Sequence, residues 1–95
     1  MNSRCQKNDV QVVKRRLLIS GLVQGVGFRW EYQRVAEAAG TVGWARNLAD
    51  GRVEVLLEGP ADAVASVEAW CHSGPRHAVV TRVESRDEPL GDLGG

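Results

Sequence analysis

"ADGRVEVLLEGP", residues 49–60, contains a turn, a strand and the approach to a helix in one short stretch. Asp50-Gly51 is a hairpin pair, because tight strand connections need the positive φ that glycine adopts at little cost. Beyond it Val53, Val55 and Leu57 fall on one face of an extended chain, with Arg52, Glu54 and Glu58 on the other. That period of two marks a half-buried strand. Gly59-Pro60 ends the alternation, and proline in a first turn predicts a helix starting there.

On the N-terminal side of the turn, Val42 to Leu48 reads as the partner strand. Before it, "FRWEYQRVAEAA" over 28–39 puts Phe28, Tyr32, Val35, Ala36 and Ala39 on one helical stripe, with Gly40 as C-cap. Leu17 to Ser20 is a further strand, bounded by Gly21. On the C-terminal side, Val64, Val67 and Cys71 share a helical stripe flanked by Ala63 and Trp70. Ser73-Gly74-Pro75 stops that helix, and Ala78 to Arg86 supplies the last strand. The order βαββαβ predicts an α+β fold, the ferredoxin-like sandwich: an antiparallel sheet of order 4-1-3-2 with both helices on one face.

The 95 residues are 43% hydrophobic and 25% charged, the balance of a globular chain. We place the domain at 14–86, between a flexible extension over 1–13 and a flexible tail over 87–95. No apolar run approaches a bilayer span, and the start lacks the apolar stretch of a signal peptide. A cytoplasmic monomer with no membrane contact is expected, with Cys5 and Cys71 as reduced thiols. Net charge is zero, which argues against a nucleic-acid partner. The charge is uneven, however: residues 14–52 carry seven Lys/Arg against three acids, and 53–95 carry three Arg against eight acids. Either solvated charges happen to segregate, or a positive field surrounds an anion site in the first half.

In the predicted topology strands one and two run parallel without being neighbours, so their C-terminal ends share one sheet edge. The loop after strand one, "SGLVQGVGFRW" at 20–30, and Asn47 of "GWARN" at 43–47 therefore meet in space. Gly25 and Gly27 let successive amides point into one concavity at a helix start, and Arg29 adds a two-pronged donor for oxyanions. The same glycines also suit a strained connection with Arg29 as a surface cation. By its place before Ala-Asp-Gly, Asn47 is ordinarily a turn former; the topology that aims it at the loop edge also lets it serve as a neutral amide that orients a water. Other chemistry is poorly provided for. Cys71 to Arg76 is C-x4-R rather than the C-x5-R of cysteine phosphatases. Cys5, Cys71, His72 and His77 form no recognised metal set, and no carboxylate pair is evident. Trp30, Trp44 and Trp70 read as packing residues, although Trp30 lies off its helix's stripe and is placed to border the pocket.

These stretches resemble a known family. "ISGLVQGVGFR", 19–29, is similar to the first signature of acylphosphatases, an aliphatic residue followed by x-G-x-V-Q-G-V-x-F-R. "GWARNLADGRVEVLLEG", 43–59, is similar to the second, G-aromatic-small-x-N-x3-G-x-V-x5-G. "GPRHAVVTRVE", 74–84, resembles more loosely the run into the last strand. Tyr32 departs from the small or β-branched residue associated with its position, and either reshapes the pocket wall or packs in the core.

The resemblance implies hydrolysis of the carboxyl–phosphate bond of small-molecule acyl phosphates, releasing inorganic phosphate with no cofactor and no metal. It implies that the backbone amides of Gln24, Gly25, Val26, Gly27, Phe28 and Arg29, with the Arg29 guanidinium, bind the phosphoryl group. Asn47 would position the attacking water. Two rivals share the fold. An RNA-recognition module stacks bases on central-strand aromatics, which "KRRLLIS" and "RVEVLLE" lack. A non-catalytic anion-sensing or interaction module would need the arginine but not the asparagine.

Overall fold

The computed structural model describes residues 11–90. Cys5 and the greater part of both proposed tails lie outside the described residues. The elements run β1 Val12–Leu22, α1 Phe28–Ala39, β2 Val42–Asn47, β3 Val53–Pro60, α2 Ala61–Cys71 and β4 Val79–Glu88. The four strands form one sheet of order β2-β3-β1-β4, with every neighbouring pair antiparallel. This is the βαββαβ sandwich that the hydrophobic periods predict.

The core follows from parity. Leu17 and Ile19 of β1 pair with Val55 and Val53 of β3, and all four are fully buried on one sheet face. Phe28, Tyr32 and Ala36 of α1 and Val64, Val67 and Cys71 of α2 close over them. Each large aliphatic side chain buried this way contributes roughly 1.5–3 kcal/mol. Trp70 joins at the rim, its ring centroid 5.2 Å from that of Phe28. Trp44 does not pack as expected of it, and Trp30 lies outside the core, as its place off the helical stripe predicts. Trp30 is 65% exposed and Trp44 38%. Trp44 stands opposite Leu56 on the helix-free face of the sheet, beneath the Arg46 guanidinium.

Three boundaries differ from the sequence reading. β1 begins at Val12, inside the proposed 1–13 extension, and Val12 and Val13 pair with Pro60 and Gly59. Pro60 is the last residue of β3 rather than the first of the helix. Its ψ of 142° keeps it extended, and Ala61 N–H donates to Gln11 O at 2.8 Å. β4 runs to Glu88, past the proposed domain edge at 86, because charge extends the pairing. Lys14 and Arg15 stand opposite Glu88 and Asp87. Arg15 Nε meets Asp87 Oδ1 and Arg16 Nε meets Glu88 Oε2, each at 2.9 Å.

Those pairs also explain the uneven charge. The fold lays the basic strand β1 against acids of the second half: Arg15 on Asp87 of β4 and Glu68 of α2, Arg16 on Glu54 of β3 and Glu88 of β4. Glu54 is buried between Arg16 and Arg46, whose Nε lies 2.7 Å from Glu54 Oε1. Burial alone would push the Glu54 carboxyl up, but hydrogen bonds from Arg46 and Arg16 outweigh it and hold it below the usual carboxylate range. Much of the positive half is therefore neutralised across the sheet. Among the described residues Arg29 has no acidic partner.

Tyr32 is 1% exposed and packs in the core, not in a pocket wall. Its hydroxyl is buried with no hydrogen-bond partner among the described residues, and burial, then the neighbouring Cys71, raises its pKa. An unpaired buried hydroxyl costs about 1–2 kcal/mol. Tyr32→Phe is therefore expected to raise the melting temperature by about 5 °C, as read by calorimetry.

Candidate active site

The strand-to-helix connection over 23–27 is shaped by two glycines. Gly25 and Gly27 have φ of 76° and 81°, while Val26 between them keeps a negative φ. This alternation of handedness turns successive amides toward one side. A Cβ on either glycine would meet nothing within 4 Å, so the requirement is one of conformation rather than space. Gly21 serves a different end: a Cβ there would sit 2.0 Å from Val79 O, where β4 crosses the irregularity in β1.

Gly27 is also the N-cap of α1, and among the described residues no side chain caps the helix. Among the described residues, none of the main-chain amides from Gln24 to Trp30 donates to a main-chain carbonyl; the first that does is Glu31, to Gly27 O at 3.0 Å. A row of free donors at the positive end of a helix dipole favours an anion. The half-charge of the dipole and the full charge of Arg29 act on the same volume.

Asn47 reaches that volume through strand parity. It pairs with Val53, which is fully buried on the helix-covered face, so Asn47 projects to the same side of the sheet as α1. β1 and β2 both run antiparallel to β3, so both end at one edge. The outcome is one cavity of about 180 Å³ lined by Gly25, Gly27, Arg29, Trp30 and Asn47, against buried Val23 and Phe28. Of the residues singled out in the loop, Gln24 and Val26 do not line it. Val26 packs on the core.

The sequence reading missed what the Gln24 side chain does. Its Nε2 donates to Leu48 O at 2.8 Å and to Arg52 O at 3.0 Å. Both carbonyls belong to the β2–β3 hairpin, where Leu48 N–H also donates to Arg52 O at 2.8 Å. One primary amide thus ties the loop to the hairpin that carries Asn47. The signal was available in principle, since glutamine supplies two N–H donors, but its partners are carbonyls whose positions only the folded hairpin fixes. Gln24→Ala is expected to lower kcat about tenfold and the melting temperature by a few degrees, because both loop and hairpin lose their common anchor. Steady-state kinetics with a thermal melt checks both effects.

Cys71 is buried in α2, where burial, then the neighbouring Glu68, pushes its thiol up to about 12. Such a thiol is not a nucleophile at neutral pH. Among the described residues no group of three or more His, Cys, Asp or Glu side chains is placed to hold a metal ion, and no helix is long and apolar enough to cross a membrane.

A family model described as acylphosphatase matches residues 15–92. The acylphosphatase of Rubrobacter xylanophilus is 51% identical over 79 residues, which cover 83% of this chain and 72% of that protein. That of Thermococcus kodakarensis is 50% identical over 80 residues, 83% of this chain and 88% of that protein. The solved structure of an acylphosphatase from Coxiella burnetii superposes with a TM-score of 0.82 at 30% identity, covering 90% of this chain and 88% of that one. The matched span includes all six elements but the first residues of β1, and it contains both the loop and Asn47. This chain belongs to the acylphosphatase family.

Proposed function

We propose that the β1–α1 loop and Arg29 hold the phosphoryl group of an acyl phosphate while Asn47 orients the water that attacks it. The chain hydrolyses the carboxyl–phosphate bond of acyl phosphates to a carboxylate and inorganic phosphate. The observation that carries this reading is the shared cavity, where a neutral side-chain amide converges with main-chain amides and an arginine that have no main-chain or acidic partner among the described residues. A carboxylate leaves readily without a proton, so no general acid is required. As the bond to the leaving oxygen lengthens, charge spreads over the equatorial oxygens, where fixed amides and a guanidinium stabilise it without reorganising. Asn47 cannot take the proton of the water. A phosphoryl oxygen of the substrate accepts it, which gives carboxylate and dihydrogen phosphate with charge conserved.

The division of labour rests on positioning and electrostatics, so a metal ion has no part in it. A cytoplasmic monomer acting on a small molecule fits this reading. Release of phosphate from acetyl phosphate in excess chelator tests it: turnover that the chelator leaves unchanged is expected. Phosphate binding without turnover would make the loop an anion sensor instead.

A further inference from the structure

We infer that the acyl group of the substrate lies in a second groove, between α1 and β2, and that Trp30 selects flat, aromatic acyl groups. This rests on the phosphoryl group occupying the loop as proposed above. Once it is seated there, the remainder of an acyl phosphate must leave the loop along some surface. A groove of about 410 Å³ lined by Arg29, Trp30, Gln33 and Ala45 adjoins the loop cavity and shares Arg29 and Trp30 with it.

Its position follows from two periods. Gln33 follows Arg29 by four residues, just over one turn further along the same face of α1, or about 6 Å. Ala45 precedes Asn47 by two residues on the same face of β2, about 6.7 Å back along the strand. α1 leads away from the loop edge and β2 leads toward it, so both steps run in the same direction. The pair Gln33 and Ala45 thus repeats the pair Arg29 and Asn47 one ring-length farther from the phosphate. Ala45 is small, which leaves the groove its depth. Gln33 Nε2 is held by Glu37 at 3.1 Å and does not fill it.

Trp30 is the groove's aromatic surface. An indole that is 65% exposed is unusual for a side chain with no packing role, and it lies off the stripe that α1 buries. The Arg34 guanidinium sits over the ring, 4.9 Å from its centroid, which restrains the indole before any ligand arrives. A rigid, restrained aromatic surface beside a phosphate site favours a planar acyl substituent over a methyl group.

The test compares kcat/KM for benzoyl phosphate and acetyl phosphate in wild type, Trp30→Ala and Trp30→Phe. The quantity read is the change in the benzoyl-to-acetyl ratio on mutation, in which the intrinsic reactivities of the two substrates cancel. Trp30→Ala is expected to lower that ratio by roughly 5-fold to 10-fold, and Trp30→Phe to retain most of it. Trp30 is mostly exposed, so a thermal melt should show both variants folded. A ratio within twofold of wild type in Trp30→Ala overturns the subsite while leaving the hydrolase intact. A wild-type protein that hydrolyses neither substrate overturns the hydrolase reading itself, and the subsite with it.

Discussion

Arg29→Ala is expected to reduce kcat/KM for acetyl phosphate by about 10³-fold, the size of effect seen when one preorganised donor to developing phosphoryl charge is removed. Inhibition by inorganic phosphate should weaken by at least tenfold in the same variant, because product and transition state present similar oxygens. Arg29 is exposed and forms no ion pair among the described residues, so stability should change by no more than about 0.5 kcal/mol. Arg29→Lys separates charge from shape: lysine keeps the charge but not the planar fork, and should recover only part of the loss. Initial rates, phosphate inhibition and a melt on the three proteins check these outcomes. A loss of less than tenfold in Arg29→Ala would mean that the loop amides alone hold the phosphoryl group.

Asn47→Ala should behave differently. A residue that orients water touches the reaction only as the attack develops, so kcat should fall by about 10²-fold to 10³-fold. KM and phosphate inhibition should stay within about threefold of wild type. Asn47 is exposed at the end of β2, so the fold should persist. The contrast between the two variants, one losing affinity and rate, the other rate alone, distinguishes a water-positioning amide from a turn former. If Asn47→Ala retained full kcat, its place at the cavity would be structural.

How far the sequence carried these conclusions depends on the kind of interaction. The alternation Val53, Val55, Leu57 and the stripe Phe28, Tyr32, Ala36 are local periods, and both correspond to buried faces. From them the strand order followed, and the strand order brought Asn47 to the glycine loop. Which side of the sheet Asn47 faces came from the structure, through its pairing with buried Val53. Features settled by partners distant in the chain were not legible. Gln24 could be placed in the loop, but its two acceptors lie 24 and 28 residues away. The extension of β4 to Glu88 depends on β1 residues about 72 positions earlier, through Arg15–Asp87 and Arg16–Glu88. Nor could the charge asymmetry be interpreted alone. Whether a basic half makes a field or is neutralised depends on the fold, and here Arg15 and Arg16 lie against acids of the sheet and of α2, while among the described residues Arg29 has no acidic partner.

The three glycines of the loop region show the same limit. Gly25 and Gly27 share one purpose, the left-handed turns that expose amides, whereas Gly21, itself at a φ of 123°, also makes room for the backbone of β4. Spacing alone does not separate a conformational need from a steric one. For Tyr32 two signals in the sequence disagreed: the helical stripe placed it in the core, while its departure from the family pattern left the pocket wall open. It is a departure from the family pattern, yet it lies in the core with an unpaired hydroxyl, away from the cavity lining. Its cost falls on stability and not on the site.

The central claim is that the loop presents phosphorus to a water set by Asn47. Hydrolysis of acetyl phosphate in H₂¹⁸O, followed by mass analysis of both products, tests it most directly. Attack at phosphorus places one ¹⁸O in the released phosphate and none in the acetate, the result expected here. Label in the acetate would mean that water attacks the carbonyl carbon, and the loop, Arg29 and Asn47 would not be arranged around a phosphoryl transfer.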